Sequence, residues 1–364
     1  MVISVLTILA VSAIGAALAA LLVVADRVIA NYGECTVTIN KDKSFAVKGG
    51  CSLLEALVGE KIFIPSACGG RATCGYCKVK VLDGAGPLLP TEEPYLSPDE
   101  RKDNVRLSCQ VKVRNDLAIQ IPEELFNVQE FSCTIEKITQ LTHDIREFRF
   151  KLDQPDSISY TPGQYVQLLS PAYEKSSEEV YRAYSVSSDP SNKGALELIV
   201  RLVPGGICTT YYFDYVKEGD QVKLNGPYGE FRLSDTDAPI IMIAGGSGMA
   251  PMKCLLHQMK NNRIARKATY FFGANKVSEL FMLETMKEFE QSVPDFKFVP
   301  VVAQPETDWD GDTGLVTEAV ARHCPDLNGY EAYLCGSPGM IDACIAVLTK
   351  TGIPEENIYF DKFS

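Results

Sequence analysis

Ten residues beginning at Cys68 read CGGRATCGYC, and Cys109 follows in RLSCQV, so four thiols fall in the pattern C-x5-C-x2-C-x31-C. Such thiols serve as a disulfide framework, a zinc site or the ligands of an iron–sulfur cluster. The first use fits poorly, because 12 cysteines in 364 residues lie far below the density of a disulfide scaffold. Structural zinc usually pairs two C-x2-C knuckles, and a second knuckle is absent here. A 2Fe–2S cluster needs four thiolates converging in a dry pocket with backbone amides turned toward sulfur. A glycine-rich loop carrying Cys68, Cys74 and Cys77, with Cys109 arriving from a distant segment, meets that need. The x5 gap is one residue longer than the plant-type spacing. The cluster is the favoured use, with zinc and structural thiols as alternatives.

Three further stretches point to nucleotide chemistry. RAYS places Arg182, Ala183, Tyr184 and Ser185 together, and PGGICTT at 204–210 supplies Gly206, Cys208 and Thr209 at a helix start. An arginine fork suits a pyrophosphate, a tyrosine face suits an aromatic ring, and the glycine-rich helix start offers free amides to an anion. RxYS alone is a weak signal, but with the GxxT element downstream the pair predicts a flavin site. AGGSGMAP sets Gly245, Gly246, Gly248, Met249 and Pro251 between an apolar strand and a helix, the phosphate position of a nucleotide sheet, although Pro251 departs from GxGxxG. LCGSP brings Cys335, Gly336 and Pro338 to a strand's carboxyl end, where ligands of such sheets gather. Cys335 is either a small core residue or a nicotinamide contact. Phe363, next to the last residue, is either a core anchor or a cover for a flavin ring.

The elements that must hold these residues can be read from periodicity. ECTVTINKDKSFAV predicts two strands around a turn, and SLLEALVGE a helix with a Ser52–Glu55 capping box. KVKVL, QVKV and LAIQI read as further strands. From Phe131 to Thr236 six short strands separated by turns predict a small antiparallel barrel, with only TTYYFDYV helical. The last third alternates buried strands with helices, as a parallel doubly wound sheet does. Residues 2–25 carry no charge over 24 positions, which predicts an uncleaved transmembrane anchor rather than a signal peptide. Arg27, Lys41 and Lys43 place the remainder on the cytoplasmic side. The expected fold is therefore α+β and multidomain: an anchor over 1–27, a 2Fe–2S domain over 28–130, an antiparallel six-stranded FAD barrel over 131–236 and a parallel α/β NADH domain over 237–364. The net charge of −12, without clustered Lys and Arg, argues against nucleic acid as a partner. ATYFFGANKVSE has no arginine pair for a 2′-phosphate, so NADH is favoured over NADPH, with Lys276 the one residue that could serve the latter.

With these residues in view, the order of anchor, cysteine loop, flavin barrel and nucleotide sheet resembles the F subunits of the sodium-translocating NADH:quinone reductases, within the ferredoxin-NADP reductase superfamily. The resemblance covers essentially the whole chain and implies that the domain over 28–130 is a ferredoxin-like β-grasp. It implies that Cys68, Cys74, Cys77 and Cys109 ligate the cluster and that Arg182, Tyr184, Ser185 and Thr209 hold FAD. It also implies that Gly246, Gly248 and Pro251 approach NADH, with Cys335 near the nicotinamide and Phe363 over the flavin. The implied activity is that of an NADH dehydrogenase that passes electrons through FAD and the cluster to membrane-embedded redox subunits and finally quinone. Its implied location is the bacterial inner membrane, as a single-pass protein whose soluble domains are cytoplasmic, with any sodium movement left to other subunits. Two departures stand out: only 17 residues separate Gln164 from Arg182, where the family carries a longer insert, and Arg71 occupies a place where glycine or serine is expected. Alternative readings are a reductase feeding an oxygenase or hydroxylase, and a redox sensor without turnover.

Overall fold

The computed structural model describes residues 11–21, 32–66, 68–122, 125–126, 128–305 and 309–363. They divide into two units, one holding the residues up to Pro65 and those from Gly70 to Phe126, the other Ser66–Gly69 and everything from Val128.

The first unit is a mixed sheet of β1 (Glu34–Ile39), β2 (Lys43–Lys48), β3 (Lys78–Asp83), β4 (Val105–Leu107) and β5 (Leu117–Gln120), in the order β2-β1-β5-β3-β4. Alternation sends Cys35, Val37 and Ile39 of β1 inward. The helix Leu53–Gly59 lays Leu53, Leu54, Ala56 and Leu57 onto the same core. Its start is fixed as its sequence predicts: Ser52 N–H donates to Glu55 Oε2 at 2.9 Å, and Glu55 N–H to Ser52 Oγ at 3.2 Å. One expectation is corrected. QVKV is not a strand beyond a single bridge at Lys112, because its backbone bonds the residues ahead of the helix, Leu53 N–H to Val111 O and Val113 N–H to Cys51 O. The strand lies upstream at β4, which leaves Cys109 in the turn that follows.

The second unit contains two sheets. The first is antiparallel, made of β6 (Gln129–Gln140), β7 (Ile145–Gln154), β8 (Tyr165–Ser170), β9 (Val180–Ser185), β10 (Ala195–Arg201) and β11 (Gln221–Tyr228), in the order β10-β7-β6-β11-β8-β9. A bridge between Val186 and Leu198 draws its two edges together into a barrel-like sheet. The second is parallel, made of β12 (Ile240–Gly245), β13 (Ala268–Ala274), β14 (Phe296–Val302), β15 (Asp312–Thr313), β16 (Glu331–Gly336) and β17 (Ile358–Lys362), in the order β15-β14-β13-β12-β16-β17. Helices Met249–Asn261 and Leu283–Ser292 pack on one face, Val316–His323 and Pro338–Lys350 on the other. The chain leaves β12 toward β15 and then returns to β16 on the other side. The order therefore switches at the carboxyl ends of β12 and β16, where such sheets bind ligands.

The predicted anchor over residues 2–25 falls mostly outside the described residues. Residues 11–21 are helical and exposed, and among the described residues no helix is long and apolar enough to cross a membrane.

Candidate functional site

The cysteine loop has almost no regular structure, and its course is set by left-handed backbone. Gly69, Gly70 and Gly75 have φ of 63°, 86° and 73°, and Ala72 joins them at 57°. Cys77 and Cys109 are buried and in hydrogen-bond contact. That contact, together with burial, pushes the Cys77 thiol far above its ordinary range. Two thiolates side by side in a dry pocket repel unless a cation lies between them, and iron supplies one. Among the described residues no three of His, Cys, Asp and Glu converge as a single-ion site. A binuclear cluster asks for two thiolates per iron, and the Cys77–Cys109 pair would meet that need for one of them. Cys74 belongs to the same unit, while Cys68 falls in the segment Ser66–Gly69 that groups with the second. The residues fit a 2Fe–2S cluster in donor type and in the contact between Cys77 and Cys109.

On the barrel, β9 carries the RAYS residues. Arg182 Nη1 donates to Tyr181 O at 2.8 Å, and a Cβ on Gly69 would lie 1.8 Å from that same nitrogen. Tyr184 reaches Cys208, so two predicted flavin residues meet, and burial pushes both groups up. The Thr209 hydroxyl accepts from Val203 N–H at 3.1 Å and fastens the PGGICTT turn. A Cβ on Gly206 would come within 2.7 Å of that oxygen. Gly206 caps helix Ile207–Asp214 with no side-chain bond, which leaves the first amides open to an anion. A cavity of about 250 Å³ opens there, lined by Tyr173, Lys175, Val203, Gly205, Gly206 and Thr210. Open amides, a lysine and a tyrosine ring fit the diphosphate and adenine end of FAD.

On the parallel sheet, β12 ends at Gly245 and the turn Gly246–Gly248 leads into helix Met249–Asn261, whose start again has no side-chain cap. Gly248 lies so close to β16 that a Cβ would stand 2.3 Å from the Cys335 carbonyl oxygen. Met249 and Pro251 are buried and shape the turn from behind. Cys335 is fully buried, and burial followed by the neighbouring Asp361 holds its thiol well above the usual value. Gly336 completes β16, and Pro338, exposed, opens the next helix. Phe363 packs against the nucleotide-sheet core, and its N–H donates to Gly336 O at 2.9 Å. It is anchored beside Cys335.

Three residues escaped the sequence reading. Asp361 on β17 is the register partner of Cys335, and its carboxyl is hydrogen-bonded by Ser185 of the barrel. Burial raises that carboxyl to about 6, against the Ser185 bond. Arg201, at the end of β10, places Nη1 3.4 Å from where a Cβ on Gly246 would be, while its Nε donates to Asp144 at 2.7 Å. Lys253, buried in the helix after the glycine turn, bonds Glu147 and Glu197 of the barrel at 2.8 Å each and pins that turn to the barrel strands. An isolated Asp, Arg or Lys carries no motif. Only the pairing of strands distant in sequence reveals them.

Three domain families match the chain: the 2Fe-2S iron-sulfur cluster binding domain over residues 37–114, the oxidoreductase FAD-binding domain over 132–233 and the oxidoreductase NAD-binding domain over 242–345. The chain is 33% identical to the F subunit of the Na(+)-translocating NADH-quinone reductase of Marinomonas sp. (strain MWYL1), with 97% of this chain and 96% of the relative covered. It is 34% identical to the protein of the same name in Pseudomonas paraeruginosa (strain DSM 24068 / PA7), with the same coverage. The first alignment runs over 394 positions, more than the 364 residues here, so that relative has residues without counterpart in this chain. Among solved structures, the Amycolatopsis cytochrome P450 reductase GcoB is similar, with a TM-score of 0.73 and 27% identity over 90% of this chain and 98% of that one. A ferredoxin reductase of carbazole 1,9a-dioxygenase shares the fold, with a TM-score of 0.70 and 24% identity over 91% of this chain and 99% of that one.

Proposed function

Because the chain belongs to the family of Na(+)-translocating NADH-quinone reductase F subunits, we propose that it is the electron-entry component of a membrane redox complex. It is an oxidoreductase with 2Fe–2S, FAD and NAD domains. Bound FAD would supply a hydride acceptor for NADH and a one-electron donor for the cluster. The observation that carries this reading is the meeting of barrel and sheet: Ser185 of β9 reaches Asp361 of β17, beside Cys335 and the glycine turn. A nicotinamide on the sheet and a flavin on the barrel would face each other there.

In this reading Cys68, Cys74, Cys77 and Cys109 hold the cluster. Arg182, Tyr184 and the open start of the Ile207–Asp214 helix hold FAD, while Gly245–Gly248 and Arg201 receive the NADH diphosphate. Cys335, neutral and buried, packs against the nicotinamide side, and Phe363 closes the edge next to it. A hydride is a proton and two electrons, so once the electrons have left, a proton must leave too. The Asp361 carboxylate, aligned by Ser185, accepts it. Glu279, which accepts from Asn275 N–H at 3.0 Å just past β13, adds negative charge where a 2′-phosphate would sit and supports NADH. We further assign residues 1–27 to a single membrane anchor with the rest cytoplasmic, 28–130 to the β-grasp cluster domain, 131–236 to the FAD barrel and 237–364 to the NADH domain. Quinone is the final acceptor, and sodium movement belongs to other subunits. The short connection before Arg182 marks where the docking surface differs from the relatives.

The likeness to the P450 reductase supports a second reading, in which the acceptor is an oxygenase. Membrane fractionation separates the two, since an anchored chain stays with the membrane. The test of the whole reading is anaerobic addition of NADH to the purified protein. Flavin absorbance bleaches first and a reduced-cluster signal follows in electron paramagnetic resonance. A protein that gives neither signal overturns the reading.

A further inference from the structure

Cys109 is flanked in sequence by two polar side chains, Ser108 and Gln110. Gln110 Nε2 lies 3.8 Å from Cys109 Sγ, within reach of an N–H···S bond, and 3.5 Å from the Cys109 carbonyl oxygen. Its amide has a defined orientation, because Thr91 Oγ1 donates to Gln110 Oε1 at 2.9 Å. That leaves the nitrogen end for sulfur.

Glu92, the next residue after Thr91, belongs to one of the most buried ion pairs of the chain. Arg106 on β4 donates to Glu92 through Nε at 3.0 Å and Nη2 at 2.5 Å, with exposures of 2% and 0%. Glu92 also accepts from Leu107 N–H at 2.9 Å and Leu89 N–H at 3.0 Å, and Arg106 Nη1 donates to Gly86 O at 2.9 Å. The pair thus ties the strap of residues 84–96 to the strand that delivers Cys109. The strap also reaches the other end of the loop: a Cβ on Gly75 would lie 2.8 Å from the Tyr95 ring. A fully desolvated pair is a weak source of net stability but a strict fixer of geometry. Ser108 supplies the second donor. Its N–H bonds Cys77 O at 2.7 Å, and its fully buried hydroxyl, with no well-aligned partner, lies near the Cys77 sulfur. A buried hydroxyl without an acceptor costs stability unless something in the site takes its proton.

We propose that Ser108 and Gln110 are positioning residues that set the reduction potential of the 2Fe–2S centre by donating hydrogen bonds to its sulfurs, with Gln110 locked by Thr91 and the Glu92–Arg106 clamp. This rests on the cluster assignment above. Reduction adds negative charge to the sulfurs, a donor stabilises the charged state, and the potential rises. Loss of a donor lowers it.

The test is a redox titration followed by electron paramagnetic resonance on the full chain and on Gln110→Leu, Ser108→Ala and Thr91→Val. Gln110→Leu should reduce the equilibrium constant for cluster reduction about tenfold, a fall of about 59 mV for one electron. Ser108→Ala should shift it the same way, and Thr91→Val, remote from the sulfurs, by less. If Gln110→Leu fails to take up iron, Thr91→Val decides: a fall supports the proposal and an unchanged potential overturns it. Wild-type potentials in all variants with intact clusters overturn this inference alone. Absence of iron and sulfide from the wild-type chain overturns the cluster assignment and this inference with it.

Discussion

The cysteine loop and the turn Gly246–Gly248 are both glycine-rich and both close to the chemistry, yet they are built on opposite plans. The loop 68–77 strings four left-handed residues, Gly69, Gly70, Ala72 and Gly75, between elements without being one itself. The turn joins a fully buried strand to a 13-residue helix and has a single left-handed residue, Gly246 at 55°. In the first, glycine serves the path of the chain, and the atoms nearest Gly69 and Gly75 belong to the side chains of Arg182 and Tyr95 rather than to backbone. In the second, it serves close approach, since Gly248 sits where β16 leaves no room for a Cβ. A loop of the first kind depends on what it binds; a turn of the second kind is held by its neighbours.

The sharpest way to break that contrast is Cys77→Ser. Cys77 is 1% exposed and paired with Cys109, so under the proposed ligand assignment its loss would remove one iron's share of thiolate. Iron content and the cluster signal should vanish altogether, and the loop should become sensitive to protease. Flavin content and the rate of flavin bleaching by NADH should stay within twofold of wild type. Retention of a full cluster would contradict the ligand assignment.

The matching change on the other side is Gly248→Ala. The added carbon meets a backbone carbonyl, which cannot step aside as a flexible side chain would, so the turn or β16 must move. Overpacking of this kind costs about 1–3 kcal/mol. A displacement of about 1 Å between nicotinamide and flavin lowers kcat/KM for NADH about 100-fold. The cluster spectrum should not change. A variant with wild-type NADH kinetics would show that the turn tolerates what the geometry forbids.

How much of this was legible in the sequence follows the same division. The turn could be read as an element, because the apolar run before it and the helix after it have periods that differ. The Ser52–Glu55 capping box and the six barrel strands were legible for the same reason. The loop could be read only as spacing, which names candidate ligands but not the path. QVKV shows the limit: its alternation suits a strand, but the backbone of residues 50–53 competes for its hydrogen bonds and wins. The hold of the Thr209 hydroxyl on the Val203 amide was not legible, because it closes a turn whose path no motif gives. Asp361, Arg201 and Lys253 were illegible because each acts on a partner at least 45 residues away in sequence that only the folded sheets bring near: Asp361 on Ser185, Arg201 on Gly246, Lys253 on Glu147 and Glu197.

Asp361 gives the smallest effect and the finest test, because it acts on the proton and leaves both loops in place. Its carboxyl, raised to about 6 by burial, is mostly ionised at neutral pH and can accept a proton there. The rate at which electrons reach the cluster after anaerobic NADH reduction should therefore rise as pH increases through about 6 and then level off. Asp361→Asn should flatten that profile and slow the step about tenfold, less than the ~100-fold of a well-placed base, because water also reaches a partly exposed residue. Stability should move the other way. A carboxyl raised above its ordinary 3.8 contributes stability that is complete below that value and is lost as pH climbs through about 6. At pH 7 the charge is a burden on the fold, and the amide should raise the melting temperature by about 2–4 °C. A variant that is both slower and less stable would mean that Asp361 holds the strand in place rather than the proton, and the contrast between chemistry and packing would have to be redrawn at β17.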